Sequence, residues 1–159
     1  MEDVLIRGVS SNKDEAKLTV SGVPNRPGVA AAIFKTLADQ SINVDMIIQD
    51  IGESSDTDIS FTVPKHEAVN AARAIQKISK RTGIGKITKD MNLSKVSVVG
   101  IGMRSHAGVA AAMFEVLGKN RINIEMISTS EIKISCVVKR KDMEKAVRLL
   151  HQKFNLGKK

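Results

Sequence analysis

The sequence predicts an α+β protein in which one strand-helix-strand-strand-helix-strand unit is built twice. Three observations carry this. Gly28 to Phe34 reads GVAAAIF and Gly108 to Phe114 reads GVAAAMF. Each is followed by nearly the same tail, Ile42-Asn43-Val44-Asp45-Met46 and Ile122-Asn123-Ile124-Glu125-Met126, at a constant offset of 80 residues. Upstream the offset falls to 78 between Gly22 and Gly100, so the second copy carries two more residues ahead of its helix. Repetition at this fidelity marks a duplicated supersecondary unit.

The elements follow in order from local chemistry. Residues 3–10, with Val4-Leu5-Ile6, read as a strand, and Ser11-Asn12-Lys13-Asp14 as turn-formers. Leu18-Thr19-Val20-Ser21 alternates with period two, as a half-buried strand does. Val23 to Gly28 is a loop entering a helix. Pro27 fits a first helical turn, where its missing N–H has no partner to lose, which leaves Asn25 or Arg26 as the cap. From Gly28 to Gln40 the apolar positions Val29, Ala32, Ile33 and Leu37 keep helical spacing. Val44, Met46 and Ile48 alternate with Asp45 and Gln49, placing those two polar side chains on one face of a second strand. After a turn at Gly52 to Asp56, Ile59, Phe61 and Val63 make a third, antiparallel to the second. Pro64 opens a second helix with Ala68, Val69, Ala72, Ile75 and Ile78 inward, ending near Gly83, and Ile84 to Met91 supplies a fourth strand.

The second copy repeats the order with a strand at 95–101, loop at 102–107, helix at 108–119, strands at 122–128 and 131–138, and a helix at 142–154. Too few residues follow for a fourth strand, while the N-terminal strand is spare. The economical arrangement inserts the first unit in the second: residues 15–92 form one, and 93–157 the other, completed by strand 3–11. Each is then a ferredoxin-like βαββαβ unit, a four-stranded antiparallel sheet with two helices on one face.

Composition bounds the function. With 42% apolar and 26% charged residues the chain reads as an ordinary globular protein. No apolar run approaches the roughly 20 residues of a membrane span, and no basic-then-apolar leader opens the chain. No membrane partner and a cytoplasmic location are expected. The single Cys136 reads as a small buried hydrophobe. A net charge of +8 raises nucleic acid as a partner. However, Arg73, Lys77, Lys80, Arg81, Lys86 and Lys89 recur as Lys139, Arg140, Lys141, Lys145 and Arg148, like the solvated faces of equivalent helices. Four Phe and no Trp or Tyr leave little for base stacking. A basic ferredoxin-like nucleic-acid module is therefore the second reading.

No catalytic constellation is legible. Gly100-Ile101-Gly102 and Gly108 are too far apart for a dinucleotide-binding turn, and no phosphate loop is present. His66, His106 and His151 are scattered without metal-ligand spacing, and Ser105-His106 lack the third member of a triad. Neither a metal nor a cofactor is expected. The loop-helix junctions remain: Asn25, Arg26, Pro27, Gly28, Val29 and Ala30 in the first copy, and Ser105, His106 and Gly108 in the second. A helix N-terminus offers free N–H groups and a positive dipole end to a carboxylate. Asp45 and Gln49, with Asn123 and Glu125 in the second copy, could hold an ammonium group, and a free amino acid has both ends of that description. Alternatively, Asn25 and Ser105 cap helices and the polar strand residues face solvent. The residues alone leave both readings open.

The loop Val23-Pro24-Asn25-Arg26-Pro27-Gly28, Gln49, and the run Ile124-Glu125-Met126-Ile127-Ser128-Thr129-Ser130-Glu131-Ile132 resemble the tandem ACT domains of aspartokinase over nearly the whole chain. That resemblance implies a regulatory subunit or region, not itself a kinase, that binds threonine, lysine or both for feedback inhibition of the aspartate pathway. It implies a homodimer through ACT units and a kinase-bearing aspartokinase chain as partner. Family effector positions fall on Asn25, Gly28, Ala30 and Gln49, and on Asn123, Ile124, Ser128, Thr129, Ser130 and Glu131. Such sites form between ACT units, often the first of one chain and the second of its partner. The family commonly has aspartate where Asn25 stands and proline where Ala107 stands, so one candidate carboxylate for the effector ammonium is missing here.

Overall fold

In a computed structural model of the chain, the structure describes residues 5–51, 55–101 and 106–154. These fall into two compact units, one Glu15–Met91 and the other Met1–Asp14 with Asn92–Lys159.

The Glu15–Met91 unit takes residues 15–24 of β1 (Leu5–Pro24), then α1 (Val29–Asp39), β2 (Ile47–Ile51), β3 (Asp56–Pro64), a 3₁₀ turn (Lys65–Glu67), α2 (Ala68–Lys77), α3 (Ser79–Thr82) and residues 87–91 of β4 (Ile87–Ile101). Its strand order is β2-β3-β1-β4. The register puts Leu18 opposite Phe61 and Val20 opposite Ile59, and slips between Val20 and Val23. Alternation therefore turns Ala16, Leu18, Val20, Ile59, Phe61 and Val63 to one face, where they pack with Ile33 and Leu37 of α1 and Ala71 and Ile75 of α2. Phe34 meets Phe61 edge to face, ring centroids 5.5 Å apart. Fully burying side chains such as Leu18 or Phe61 contributes about 1.5–3 kcal/mol each.

The other unit takes residues 5–14 of β1, residues 92–101 of β4, α4 (His106–Lys119), β5 (Met126–Thr129), β6 (Lys133–Lys139), a 3₁₀ turn (Arg140–Asp142) and α5 (Met143–Lys153). Its strand order is β1-β4-β6-β5. Val96, Val98, Ile134, Cys136 and Val138 meet Met113 and Leu117 of α4 and Ala146 and Leu150 of α5, with Ile6 and Val9 packed against the cluster.

The duplication extends to the ends of the first helices. Ser41 and Arg121 both adopt left-handed backbone, φ 56° and 58°. Ser41 N–H donates to Ala38 O and Ile42 N–H to Leu37 O; Arg121 N–H donates to Gly118 O and Ile122 N–H to Leu117 O. This is the Schellman closure, with Ile42 and Ile122 buried just beyond the helix. Asn43 and Asn123 follow directly, so the cap sets how the next segment departs.

Both units have the predicted ferredoxin-like plan, but several local expectations fail. Ser11 to Asp14 are not a turn: β1 runs through them, and the Ser94 hydroxyl donates to Lys13 O from the neighbouring β4. Cross-strand pairing here overrides local turn propensity. The strands expected at 84–91 and 95–101 are one strand, β4. Val69 is 45% exposed rather than inward, because the small side chains of Ala68, Ala71 and Ala74 make the buried stripe of α2. Pro64 ends β3 instead of opening the helix, which breaks again at Ile78 before α3. The strands expected from 122 and 131 begin at Met126 and Lys133. Residues 3–4, most of the turn at Gly52 to Asp56, residues 102–105 and residues 155–157 lie outside the described residues.

Candidate functional site

The stretch from Gly22 to Gly28, the irregular end of β1 and the loop after it, is held mostly by backbone. Gly22, φ 63°, donates its N–H to Asp58 Oδ1 at 3.3 Å. Asn25 N–H donates to Ser55 O at 3.2 Å and Arg26 N–H to Pro24 O at 2.9 Å. Gly28, φ 92°, is the N-cap of α1, and Ala32 N–H donates to its carbonyl at 3.0 Å. A Cβ on Gly28 would meet nothing within 4 Å, so the backbone angle, not space, calls for glycine there. This corrects the expected cap. Neither Asn25 nor Arg26 caps the helix, Pro27 precedes its first turn, and no side-chain oxygen caps α1. The first turn also carries no acidic residue. The N-terminus of α1 thus presents a positive dipole end that no side chain neutralises, a suitable seat for a carboxylate.

Of the other first-copy residues, Val29 is buried, so only its backbone faces this seat, and Ala30 is half-buried at the helix start. Gln49 is exposed on β2 opposite Ile59, which is itself opposite Val20. Gln49 therefore lies at the end of the sheet where β1 gives way to the loop, on the face that carries α1. Asp45 has the same alternation parity but precedes β2; it is exposed and donates its N–H to Thr62 O at 3.1 Å.

The second copy departs from the first. Ser105 lies outside the described residues, and His106 begins α4. Gly108 is inside that helix, not at its cap, since with alanine at 107 nothing stops the turn from starting earlier. Asn123 is exposed and Ile124 half-buried against the core. Glu125 pairs with Lys139 at 3.5 Å, so its carboxylate already has a cation. Ser128 faces Ser135 and Thr129 faces Ile134 at the end of β5. Ser130 N–H donates to Lys133 O at 2.8 Å, forming with exposed Glu131 the turn into β6. The structure gathers Asn25 to Ala30 with Gln49 at one sheet end, and Ser128 to Glu131 at the corresponding end of the other unit.

Sequence reasoning missed Asp58, Thr82 and Gly85, all of which hold the loop. The available signal was Gly83-Ile84-Gly85 directly after a helix, two glycines around one apolar residue where a helix end and the start of a strand need only one. Among the described residues no group of three His, Cys, Asp or Glu side chains could hold a metal. Burial pushes the Cys136 thiol up to about 12, so it is no nucleophile. No helix among the described residues is long and apolar enough to cross a membrane.

A family model described as the ACT domain matches residues 18–78 and 96–154. An aspartate kinase of Pseudomonas fluorescens (strain SBW25) is 50% identical over 98% of this chain, which spans 38% of that relative's length. A solved structure of aspartokinase alpha and beta subunits matches with a TM-score of 0.87 and 46% identity, covering 95% of this chain and 99% of that one. The ligand-free regulatory subunit of aspartate kinase from Thermus thermophilus matches with a TM-score of 0.87 and 37% identity, covering 94% and 99%. With its two ACT repeats, and matching 99% of a separate regulatory subunit at 37% identity, the chain belongs to the ACT-domain family as the regulatory part of an aspartokinase, not its kinase domain.

Proposed function

We propose that this chain senses free threonine, lysine or both and passes its occupancy to a kinase-bearing aspartokinase chain as feedback inhibition. The observation that carries the reading is the N-terminus of α1, which no side chain caps, with Gln49 at the same end of the sheet. An α-carboxylate is received by the N–H groups beside Gly28 to Ala30, and Gln49 and Asn25 meet the remaining polar groups. Asn123 and Ile124, with Ser128, Thr129, Ser130 and Glu131, form the second copy's contribution. Charge-assisted hydrogen bonds contribute about 1.5–3 kcal/mol each, so a few of them give a micromolar site once the costs of association are deducted.

A homodimer accompanies this function. β2 and β5 are the outer strands of their sheets and carry exposed Ile47, Ile51 and Ile127, Ile47 and Ile127 being equivalent in the repeat. Apolar side chains on an outer strand are what a second copy would cover.

A thermal-shift screen against the twenty amino acids tests the reading, because a ligand selective for the folded state raises apparent stability. Threonine or lysine should stand out, with a shift that persists at high salt. No shift with any amino acid would overturn the proposal, and steeply salt-sensitive binding of nucleic acid would favour the basic-module reading.

A further inference from the structure

The stretch Ser21 to Arg26, the irregular end of β1 and the start of the loop after it, rests along its length on a segment about 60 residues later in the chain. Ser21 exchanges backbone hydrogen bonds with it, donating to Lys86 O at 2.9 Å and accepting from Gly85 N–H at 2.9 Å. Gly22 and Gly85 meet backbone to backbone: a Cβ on Gly22 would lie 3.6 Å from Gly85, and one on Gly85 would lie 2.8 Å from Ser21 O. Gly83, left-handed at φ 76° where it ends α3, comes close enough that a Cβ there would touch Pro24 at 3.4 Å. At the far end Arg26 donates from Nη2 to Thr82 O at 3.2 Å. Thr82 is itself fixed, buried and donating its hydroxyl to Ile78 O at 2.7 Å.

We infer that Thr82 to Lys86 is the brace that positions the effector loop, and that Arg26 is a positioning residue clamping the loop to it rather than a ligand for the effector. The inference rests on the effector reading above. Its physical basis is preorganisation. The N–H groups beside Gly28 to Ala30 are carried on this stretch, and a stretch that samples other conformations lowers affinity, because binding then includes the cost of ordering it. Arg26 is exposed yet spends its guanidinium on a backbone carbonyl at a helix end. That is a fitting use of a planar donor, since helix-terminal carbonyls lack intrahelical partners. Gly85 is required because no side chain fits between its backbone and Ser21 O.

The test compares the wild-type chain with Arg26→Ala, Arg26→Lys, Gly85→Ala and Gln49→Ala. Amide hydrogen exchange is measured without effector, and calorimetry with threonine and with lysine. Arg26→Ala should speed exchange at residues 22–30 while leaving β3 unchanged, and weaken the amino acid roughly five- to tenfold, as expected when the binding-competent arrangement is populated only about a tenth to a fifth of the time. Arg26→Lys should fall between, and Gly85→Ala should act in the same direction as Arg26→Ala. If Arg26→Ala weakens binding without changing loop exchange in the free chain, Arg26 touches the effector directly and the brace is wrong. If Gln49→Ala weakens binding while Arg26→Ala alters neither readout, only this inference falls. If neither amino acid binds the wild-type chain, the effector reading falls and takes the inference with it.

Discussion

The hydroxyls of Ser97 and Ser135 lie 2.7 Å apart, buried, across the pairing of β4 and β6. Their counterparts in the other unit, Thr19 and Ser60, are also in register and 3.0 Å apart, so the duplication has kept a cross-strand hydroxyl pair while changing one residue type. Ser135→Ala would leave the Ser97 hydroxyl buried with its recorded partner gone, at a cost of about 1–3 kcal/mol. Ser97→Ala with Ser135→Ala should cost less than the sum of the two single changes, because neither then strands a polar group. Urea unfolding of the four-member cycle measures this; strict additivity would show that the pair is not coupled.

Ser41 and Arg121 hold left-handed backbone without being glycine. A Cβ in that conformation costs roughly 1 kcal/mol or somewhat more, partly offset in a glycine variant by the greater freedom of the unfolded chain. Ser41→Gly should therefore stabilise the Glu15–Met91 unit by up to about 1 kcal/mol, and Ser41→Val should destabilise it. Denaturant midpoints decide; a destabilising glycine would show that the Ser41 side chain has a role of its own.

Cys136 is held as a neutral thiol, its pKa raised by burial to about 12. Below about pH 9 the thiol is protonated in both folded and unfolded chains and titration adds nothing. Between about pH 9 and 12 only the unfolded chain loses the proton, so stability falls as pH rises through that window. Cys136→Ala should flatten that part of the stability profile. In the native chain near pH 8, alkylation of Cys136 should proceed only as fast as the unit opens. Rapid modification without added denaturant would contradict the buried placement.

The placement of residues 5–14 predicts an asymmetric response to truncation. Ile6 and Val9 pack on the core formed by α4, α5, β4 and β6, and β1 is the strand next to β4. Removing residues 1–11 should therefore lower hydrogen-exchange protection in β6 and α5 while β3 and α2 keep theirs. Equal losses in both units would argue against a first unit inserted within the second.

The strand and helix order was legible because alternation and helical spacing are local, and because each copy checks the other. Ile59, Phe61 and Val63 could only be a half-buried strand, and Ile33 and Leu37 the buried face of a helix. Continuity of β1 through Ser11 to Asp14 was not legible, since those residues form turns readily and only the neighbouring strand holds them extended. Val69 misled because a large apolar residue outranks alanine in any pattern, whereas the close approach of α2 to the sheet favours Ala68, Ala71 and Ala74. At the site, strand parity put Asp45 and Gln49 on one face, but that Gln49 shares a sheet end with the Asn25 to Ala30 loop depends on the register with β3 and β1, which no local pattern carries. The contact between Arg26 and Thr82 joins residues 56 apart in the chain, beyond the reach of any local pattern.

The effector seat itself makes the sharpest prediction. Ala30 is half-buried at the start of α1, next to the N–H groups assigned to the carboxylate, and a branched side chain there would crowd them. On the proposed reading, Gln49→Ala removes a side chain that pairs with the ligand and leaves a polar group of the bound amino acid unmatched. Ala30→Thr and Gln49→Ala should each weaken threonine, or lysine if that is the ligand, by about 1–3 kcal/mol while scarcely changing the unfolding midpoint of the free chain. If a second copy completes the seat, linkage requires the amino acid to tighten the dimer by the same factor by which dimerisation tightens the amino acid. Sedimentation with and without ligand measures the first factor, and calorimetry at several chain concentrations measures the second. Unchanged affinity in both variants, together with a dimer indifferent to ligand, would leave the α1 N-terminus an ordinary helix end closed by Gly28.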